Sequence, residues 1–474
     1  MPRCLAVILS LTLAGCAAHA TSRQGTIIFA SGADLQSINS LVTVHPLARQ
    51  VQRYVLFTTL VQRDSTLQIV PYLARRWSWS PDRTTLTMVL ADGIRWHDGA
   101  PTTAADVAWT FNAARDPATG YPRISELASL TNVVAIGDTA VRFTFAAAQS
   151  VIPDLFTDLA ILPVHLLGQL PHAALRQAAW NDAPVGNGPF RFVSHTANRR
   201  WVFAADSQFP IVLGGPPHIA RFVVAVVDEP TTKLAALTSG ELDFAGIQPA
   251  HASFVRSDRR LTVLDYPLLL TYVMLFNTRR PPFNDLTVRR AISLALDRRA
   301  IVDGDLFGFG TPAAGPAAQD TASSGSSRAD VAAARRLLAG RHLHFELLTV
   351  GSGEAALEQM IQGQLAAVGI QVTIRQLENT AFLDRVHGGQ HDFDVAMMGI
   401  SGDIGLGQVA PMLADAGIPA PASPAAARIV AIDSVAAAFV YHARGVQGMN
   451  RRVHGVHMDL RGELASLHSW TLNR

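Results

Sequence analysis

The sequence predicts an α/β protein built as at least two lobes, on three observations. The chain has 474 residues, beyond the roughly 250–300 at which a single core stops growing. It is 49% hydrophobic and only 16% charged, with a mean hydropathy of +0.21, a composition that folds and excludes a disordered chain. Residues 343–376 read strand, helix, strand: Leu343 to Val350 is strand-like, Leu357, Ile361, Leu365 and Val368 share a helix face, and Ile370, Val372 and Ile374 alternate after the stop at Gly369. That order implies a right-handed parallel crossover.

Taken from the N-terminus, Arg3 supplies a positive charge and Leu5 to Ala14 is apolar but too short to span a bilayer. It ends in Leu13-Ala14-Gly15-Cys16, which resembles the bacterial lipobox. Residues 1–15 are then a lipoprotein signal peptide, Cys16 the lipidated residue, and 16–25 a small polar tether. Ala18-His19-Ala20 offers ordinary secretory cleavage as the alternative. The expected location is the periplasm or cell surface, with the membrane reached through the lipid on Cys16. Cys4 would leave with the leader, so no disulfide is expected.

Thr26 to Ala30 reads as a first strand. Leu86 to Leu90 alternates apolar and polar before the turn Ala91-Asp92-Gly93, and Thr139 to Ala146 alternates again. Thr103 caps a helix carrying Val107, Trp109 and Phe111, with Asp106 placed for a capping box. Phe222 to Val227 reads as a strand and Thr231 to Thr238 as a helix. Val288, Ile292, Ala295 and Leu296 keep helical spacing over 286–303. The stretches 311–329 and 417–427, rich in Ala, Gly, Ser and Pro, read as loops.

Charges nearly cancel, to +2, and the only lysine is Lys233. A nucleic-acid partner is therefore not expected, for want of excess positive charge. There is no G-x-S-x-G, H-E-x-x-H or P-loop, and Gly405-Leu406-Gly407-Gln408-Val409-Ala410 is an isolated G-x-G-x-x-A. No enzyme and no cofactor are expected. His442, His454, His457 and His468 gather near the C-terminus without metal-ligand spacing and read as surface histidines.

Several segments, in order, resemble bacterial extracytoplasmic solute-binding proteins of family 5, the peptide/nickel type serving ABC importers. They are Leu67 to Ala74 with Trp77; Leu90 to Gly99; Thr103 to Val107; Val185 to Phe190; Phe276-Asn277-Thr278 through Asp297-Arg298; and Gln364 to Val372. The resemblance covers roughly residues 25–405. It implies a two-lobed periplasmic-binding-protein fold (type II, large cluster C type) whose lobes are joined by two hinge strands and close on a ligand between them. Lobe I would be 24–270 plus 428–474 and lobe II 271–427, the latter abbreviated after Gly407. The implied partners are a small solute, probed first as a peptide, and an ABC permease with its ATPase, the protein acting as a monomer. A nickel or metal-chelate ligand, or a degenerate sensor or scaffold role, is the alternative.

Gly93, Gly99, Gly186 and Gly188 read as turn glycines, Trp77, Trp79, Trp96 and Trp109 as core, and Arg289 and Asp297 as a pair or caps around their helix. Gly399 to Gly405 resembles the dipeptide-type ligand loop, which implies Asp403 as partner of a peptide α-ammonium, with Ser401 and Gly402 beside it. Ile400 stands where the family carries Trp. Asp34, after the first strand, is a further candidate that could reach the ligand backbone or cap its own loop. No Arg matches a partner for a peptide carboxylate.

Overall fold

The computed structural model describes residues 24–323, 326–401, 406–421 and 423–473. Cys16, Gly402 and Asp403 lie outside the described residues.

One 11-stranded sheet runs through the molecule. Its strands are β1 (Thr26–Ser31), β2 (Phe190–Thr196), β3 (Arg200–Ala205), β4 (Arg221–Val226), β5 (Phe244–Gly246), β6 (Leu261–Phe276), β7 (Gly310–Pro312), β8 (Leu343–Val350), β9 (Ile370–Leu377), β10 (Val395–Ser401) and β11 (Ala437–Asn450). The order is β9-β8-β10-β6-β11-β5-β1-β4-β3-β2, with β7 paired to β11. The half from β5 to β2 belongs to a first lobe, which also holds a separate four-stranded sheet over 74–145. The half from β9 to β10 belongs to a second lobe.

The two long antiparallel strands β6 and β11 join the lobes. Their register breaks between Pro267↔Arg444 and Thr271↔His442, so Leu268, Leu269 and Leu270 face Ala443 alone. Extra residues on one strand bend it and relieve the ladder, which makes this stretch the hinge. Beyond it, successive residues bury opposite faces as strand geometry requires. Met274 and Phe276 enter a core with Phe345, Leu347 and Met397. Val273 and Leu275 enter one with Leu348, Ala396 and Phe382.

The crossover at 343–376 is parallel, with Leu343 opposite Ile370. Thr103 and Asp106 form the capping box of the helix Ala104–Arg115. Trp96 is fully buried, while Trp77, Trp79 and Trp109 pack on the core edge. Over 286–303 the chain forms two helices, Leu286–Ala295 and Arg298–Asp305, the second capped by Asp297 through Ala300 N at 2.8 Å. Arg289 does not pair with Asp297; it donates to the carbonyls of Phe283, Ser434 and Val435.

Two expectations need correction. The stretch read as a loop over 417–427 starts a helix, Pro424–Asp433. Its Ala427 and Ala431, with Ala436, Ala437 and Phe439, lie in the second lobe's core. The return crossing therefore falls within β11 near residue 443, and 428–441 pack with the second lobe rather than the first.

Gly93 and Gly99 do take positive φ, +75° and +93°. Gly186 and Gly188 do not; they are required by close approach instead. A Cβ on Gly186 would sit 2.0 Å from the Leu56 carbonyl oxygen, and one on Gly188 would sit 2.6 Å from Phe57 N.

Candidate functional site

One helix supplies part of the first-lobe wall of the hinge. Helix α1 (Pro46–Val51) continues as a wider π turn over Gln52–Leu56. Residues three and four apart share a helix face, so Pro46, Arg49, Gln50, Arg53 and Tyr54 all turn to one side. That side lines a cavity of about 340 Å³ together with Arg63, Arg123, Asp154, Asp158, the hinge residues Pro267 to Leu270, and Asp459 to Gly462.

Asp158, 5% exposed, is the hub of this wall. It accepts from Arg49 and Arg123, and from Arg53 Nη1 at 2.6 Å. Burial alone would raise its pKa, but Arg53, Arg49 and Arg123 hold the carboxyl far below the usual range. Arg63 pairs with Asp154, and Arg461 takes Asp459 in a fork, Nη2 to Oδ2 at 2.7 Å. The cavity is thus lined by five arginines and three aspartates.

A second cavity, of about 640 Å³, opens beyond the bulge at the carboxyl ends of β8 and β10. Leu270 borders the first cavity and Tyr272 the second. Tyr272 stacks on Tyr441 with centroids 4.8 Å apart, and Met397, Met398 and Met412 add apolar wall. Its lining includes Asp305, Glu358, Asp415 and His387, and among the described residues no Arg or Lys. His387 Nδ1 lies 2.7 Å from Asp415 Oδ2. Burial, and then the neighbouring Glu358, push the Asp305 carboxyl up. The hinge therefore separates a basic cavity from an acidic one, and open α/β sheets take ligands at such carboxyl strand ends.

The candidates found in the sequence fall as follows. Ser401 closes β10 opposite Leu270. Asp34 does not border the hinge cavity. It accepts from Trp201 Nε1 at 2.8 Å, Asn198 N at 2.6 Å and His195 Nε2 at 3.3 Å. Against the raising effect of burial, these bonds keep its pKa low. In the structure it ties its loop to the β2–β3 hairpin.

His442 is buried, not on the surface, within 2.9 Å of Thr271 Oγ1 and 3.1 Å of the Asp320 carbonyl. Among the described residues no group of three His, Cys, Asp or Glu is placed to hold a metal ion. No helix among them is long and apolar enough to cross a membrane. The arginine wall was missed in the sequence; the i, i+4 pair Arg49 and Arg53 was its one local signal.

Glu463 ties the C-terminal segment to the hinge strands, accepting from Tyr266 on β6 and from Gln447 Nε2 on β11 at 3.2 Å. Burial raises its pKa above the ordinary 4.5, against the two hydrogen bonds. Its stabilising contribution is then complete below pH 4.5 and is lost as pH rises through the folded value. Glu463→Gln is expected to gain stability relative to the parent as pH rises above 4.5. Urea midpoints measured from acid to neutral pH check this; a pH-independent difference would contradict it.

Two lobes on a shared sheet, two crossing strands and cavities at the bend define a hinged binding protein. The description "bacterial extracellular solute-binding proteins, family 5" matches over residues 68–414, and the chain belongs to that family. An ABC transporter peptide-binding protein named in Brucella ovis is 32% identical over 259 residues, 54% of this chain and 48% of that protein. The chain thus matches about half the length of that relative. A di/tripeptide-binding protein of Pseudomonas aeruginosa is 30% identical over 436 residues, covering 84% of this chain and 80% of the relative. The fold is that of the substrate-binding protein CtaP of Listeria monocytogenes, with TM-score 0.82 at 20% identity over 95% of this chain and 100% of that one. It is the two-lobed periplasmic-binding-protein fold.

Proposed function

We propose that this protein is the extracytoplasmic solute-binding component of an ABC importer, capturing a peptide or similar small zwitterion between its lobes and delivering it to a membrane permease and ATPase. The observation that carries the reading is the pair of oppositely charged cavities on either side of the hinge bulge, the first with five arginines to three aspartates, the second with acids and no Arg or Lys. A solute with an ammonium at one end and a carboxylate at the other is matched by that arrangement, because each end meets opposite charge as the lobes close. The relatives' peptide-binding names support the peptide class.

In this reading Asp403, with Ser401 and Gly402, receives the α-ammonium. The protein binds without turnover and needs no cofactor. It works as a monomer held at the membrane, in the periplasm or at the cell surface, by lipid on Cys16.

A thermal-shift screen with di-, tri- and oligopeptides tests this. Ligand at about a hundred times Kd adds roughly 2.7 kcal/mol to the folded state, and Asp403→Ala is expected to lose most of that. If no peptide shifts the parent, and Asp403→Ala behaves identically, the peptide reading fails. A shift with nickel or a nickel chelate in place of peptides would redirect it to metal capture.

A further inference from the structure

We propose that Phe309 is a pivot plug: a second-lobe aromatic ring seated in a first-lobe socket, which lets the hinge bend and stops it from twisting. The inference rests on the reading of β6 and β11 as a hinge, and deepens it.

Phe309 is held by the second lobe. The helix Arg298–Asp305 buries Ile301 and Val302 in that lobe's core. The turn after it closes with Gly308 N on Val302 O at 3.0 Å and Phe309 N on Leu306 O at 2.8 Å. Phe307 and Gly308 both take positive φ, +51° and +84°. A bulky residue in that region carries backbone strain, and what the strained turn presents is the Phe309 ring. The ring is 8% exposed, in a cluster with Leu237, Ile247, Val255, Leu261 and Val446. Among the described residues, every other member of that cluster lies on the first-lobe side of the bulge. Arg256, on the helix Ala252–Ser257, sets its guanidinium over the ring, 5.4 Å from the centroid, a cation–π contact across the lobe boundary.

The ring's position gives it a role beyond packing. β6 runs along one edge of β11. The other edge carries β5 of the first lobe, as far as Ile247 N on Val446 O at 3.0 Å. It then carries β7 of the second lobe, starting with Gly310 opposite Ala443. Together β5 and β7 make a third strand broken at the hinge, and Phe309 fills the break. A two-stranded ribbon bends at a bulge, but it also twists readily. A contact on a third line opposes the twist. Apolar burial is non-directional, so the ring can turn in its socket as the lobes bend. A hinge limited to bending leaves less freedom to be lost when a ligand is captured.

Single-molecule fluorescence on the full chain, with one dye per lobe carried on unnatural amino acids, reads the interlobe distance distribution without peptide. The parent is compared with Phe309→Ala, Phe309→Leu and Arg256→Gln. Phe309→Ala is expected to broaden the distribution and Arg256→Gln to broaden it less. Phe309→Leu, which refills most of the socket, should stay near the parent width. Arg256 is exposed, so its variant tests the plug even if Phe309→Ala does not fold. A lower urea midpoint with unchanged width would make the ring a packing residue only and overturn the proposal.

Calorimetry with peptide follows. If Phe309→Ala leaves about one molecule in ten in the binding-competent pose, peptide binds about tenfold more weakly. Binding at parent affinity would overturn the pivot role. Broadened distributions with no peptide bound by any variant would keep the plug and remove the peptide reading. Parent-width distributions with peptide bound would keep peptide capture and remove the plug.

Discussion

Replacing Asp158 by Asn is expected to destabilise the first lobe by about 3–5 kcal/mol, the usual cost of removing one partner from a buried ionic cluster. The side chain is 5% exposed and is shared by Arg49, Arg53 and Arg123. Asparagine keeps the shape but leaves three enclosed guanidiniums without their shared anion, so little of the loss comes from packing. Urea denaturation followed by a first-lobe fluorescence probe measures it, Trp96 and Trp201 being buried there. The double variant Asp158→Asn with Arg49→Gln is expected to recover part of the loss, since one cation of the cluster is removed with the anion. A cost under about 1 kcal/mol, typical of exposed ion pairs, would mean that water already screens the cluster.

Gly186→Ala is expected to be comparably severe, about 3 kcal/mol or more, at the upper end of overpacking costs. The new methyl would meet backbone, the Leu56 carbonyl oxygen at 2.0 Å, and backbone cannot rotate aside. The segment around Gly186 is fixed on both sides: Gly188 N donates to Leu56 O at 2.8 Å, and His97 N donates to Gly186 O at 2.7 Å. Leu56 ends the helical turn that carries Arg49 and Arg53, so displacement there moves the basic wall as well. Weaker ligand binding is therefore expected along with the lower midpoint. Gly93→Ala is the informative contrast. It has open space around its Cβ and φ of +75°, so only left-handed backbone strain is expected, about 1–2 kcal/mol. Equal costs at the two glycines would refute the close-approach account.

Much of the scaffold was legible because its signals are local. Alternation followed by helical spacing marked Leu343 to Ile374, and the observed strands at Leu343–Val350 and Ile370–Leu377 pair in parallel. The capping box at Thr103 and Asp106 needs only residues three apart. The helix at Pro424–Asp433 was not legible, because its alanines carry little contrast between faces and the prolines before it suggest a loop. The burial of 428–441 in the second lobe follows only from packing.

The candidate site was less legible still. Arg49, Arg53, Arg63, Arg123 and Arg461 are spread along the whole chain and meet only through the fold. Asp34 illustrates the reverse case. A carboxylate after a first strand reads as local, yet it binds Trp201, Asn198 and His195, more than 160 residues away.

Small-angle scattering with and without a saturating peptide tests the central claim most directly, because capture between lobes requires them to approach. If β6 and β11 bend at the 267–271 bulge, the radius of gyration should fall on binding, and Asp403→Ala should need more peptide to produce the same fall. An unchanged radius with peptide demonstrably bound would contradict capture by lobe closure.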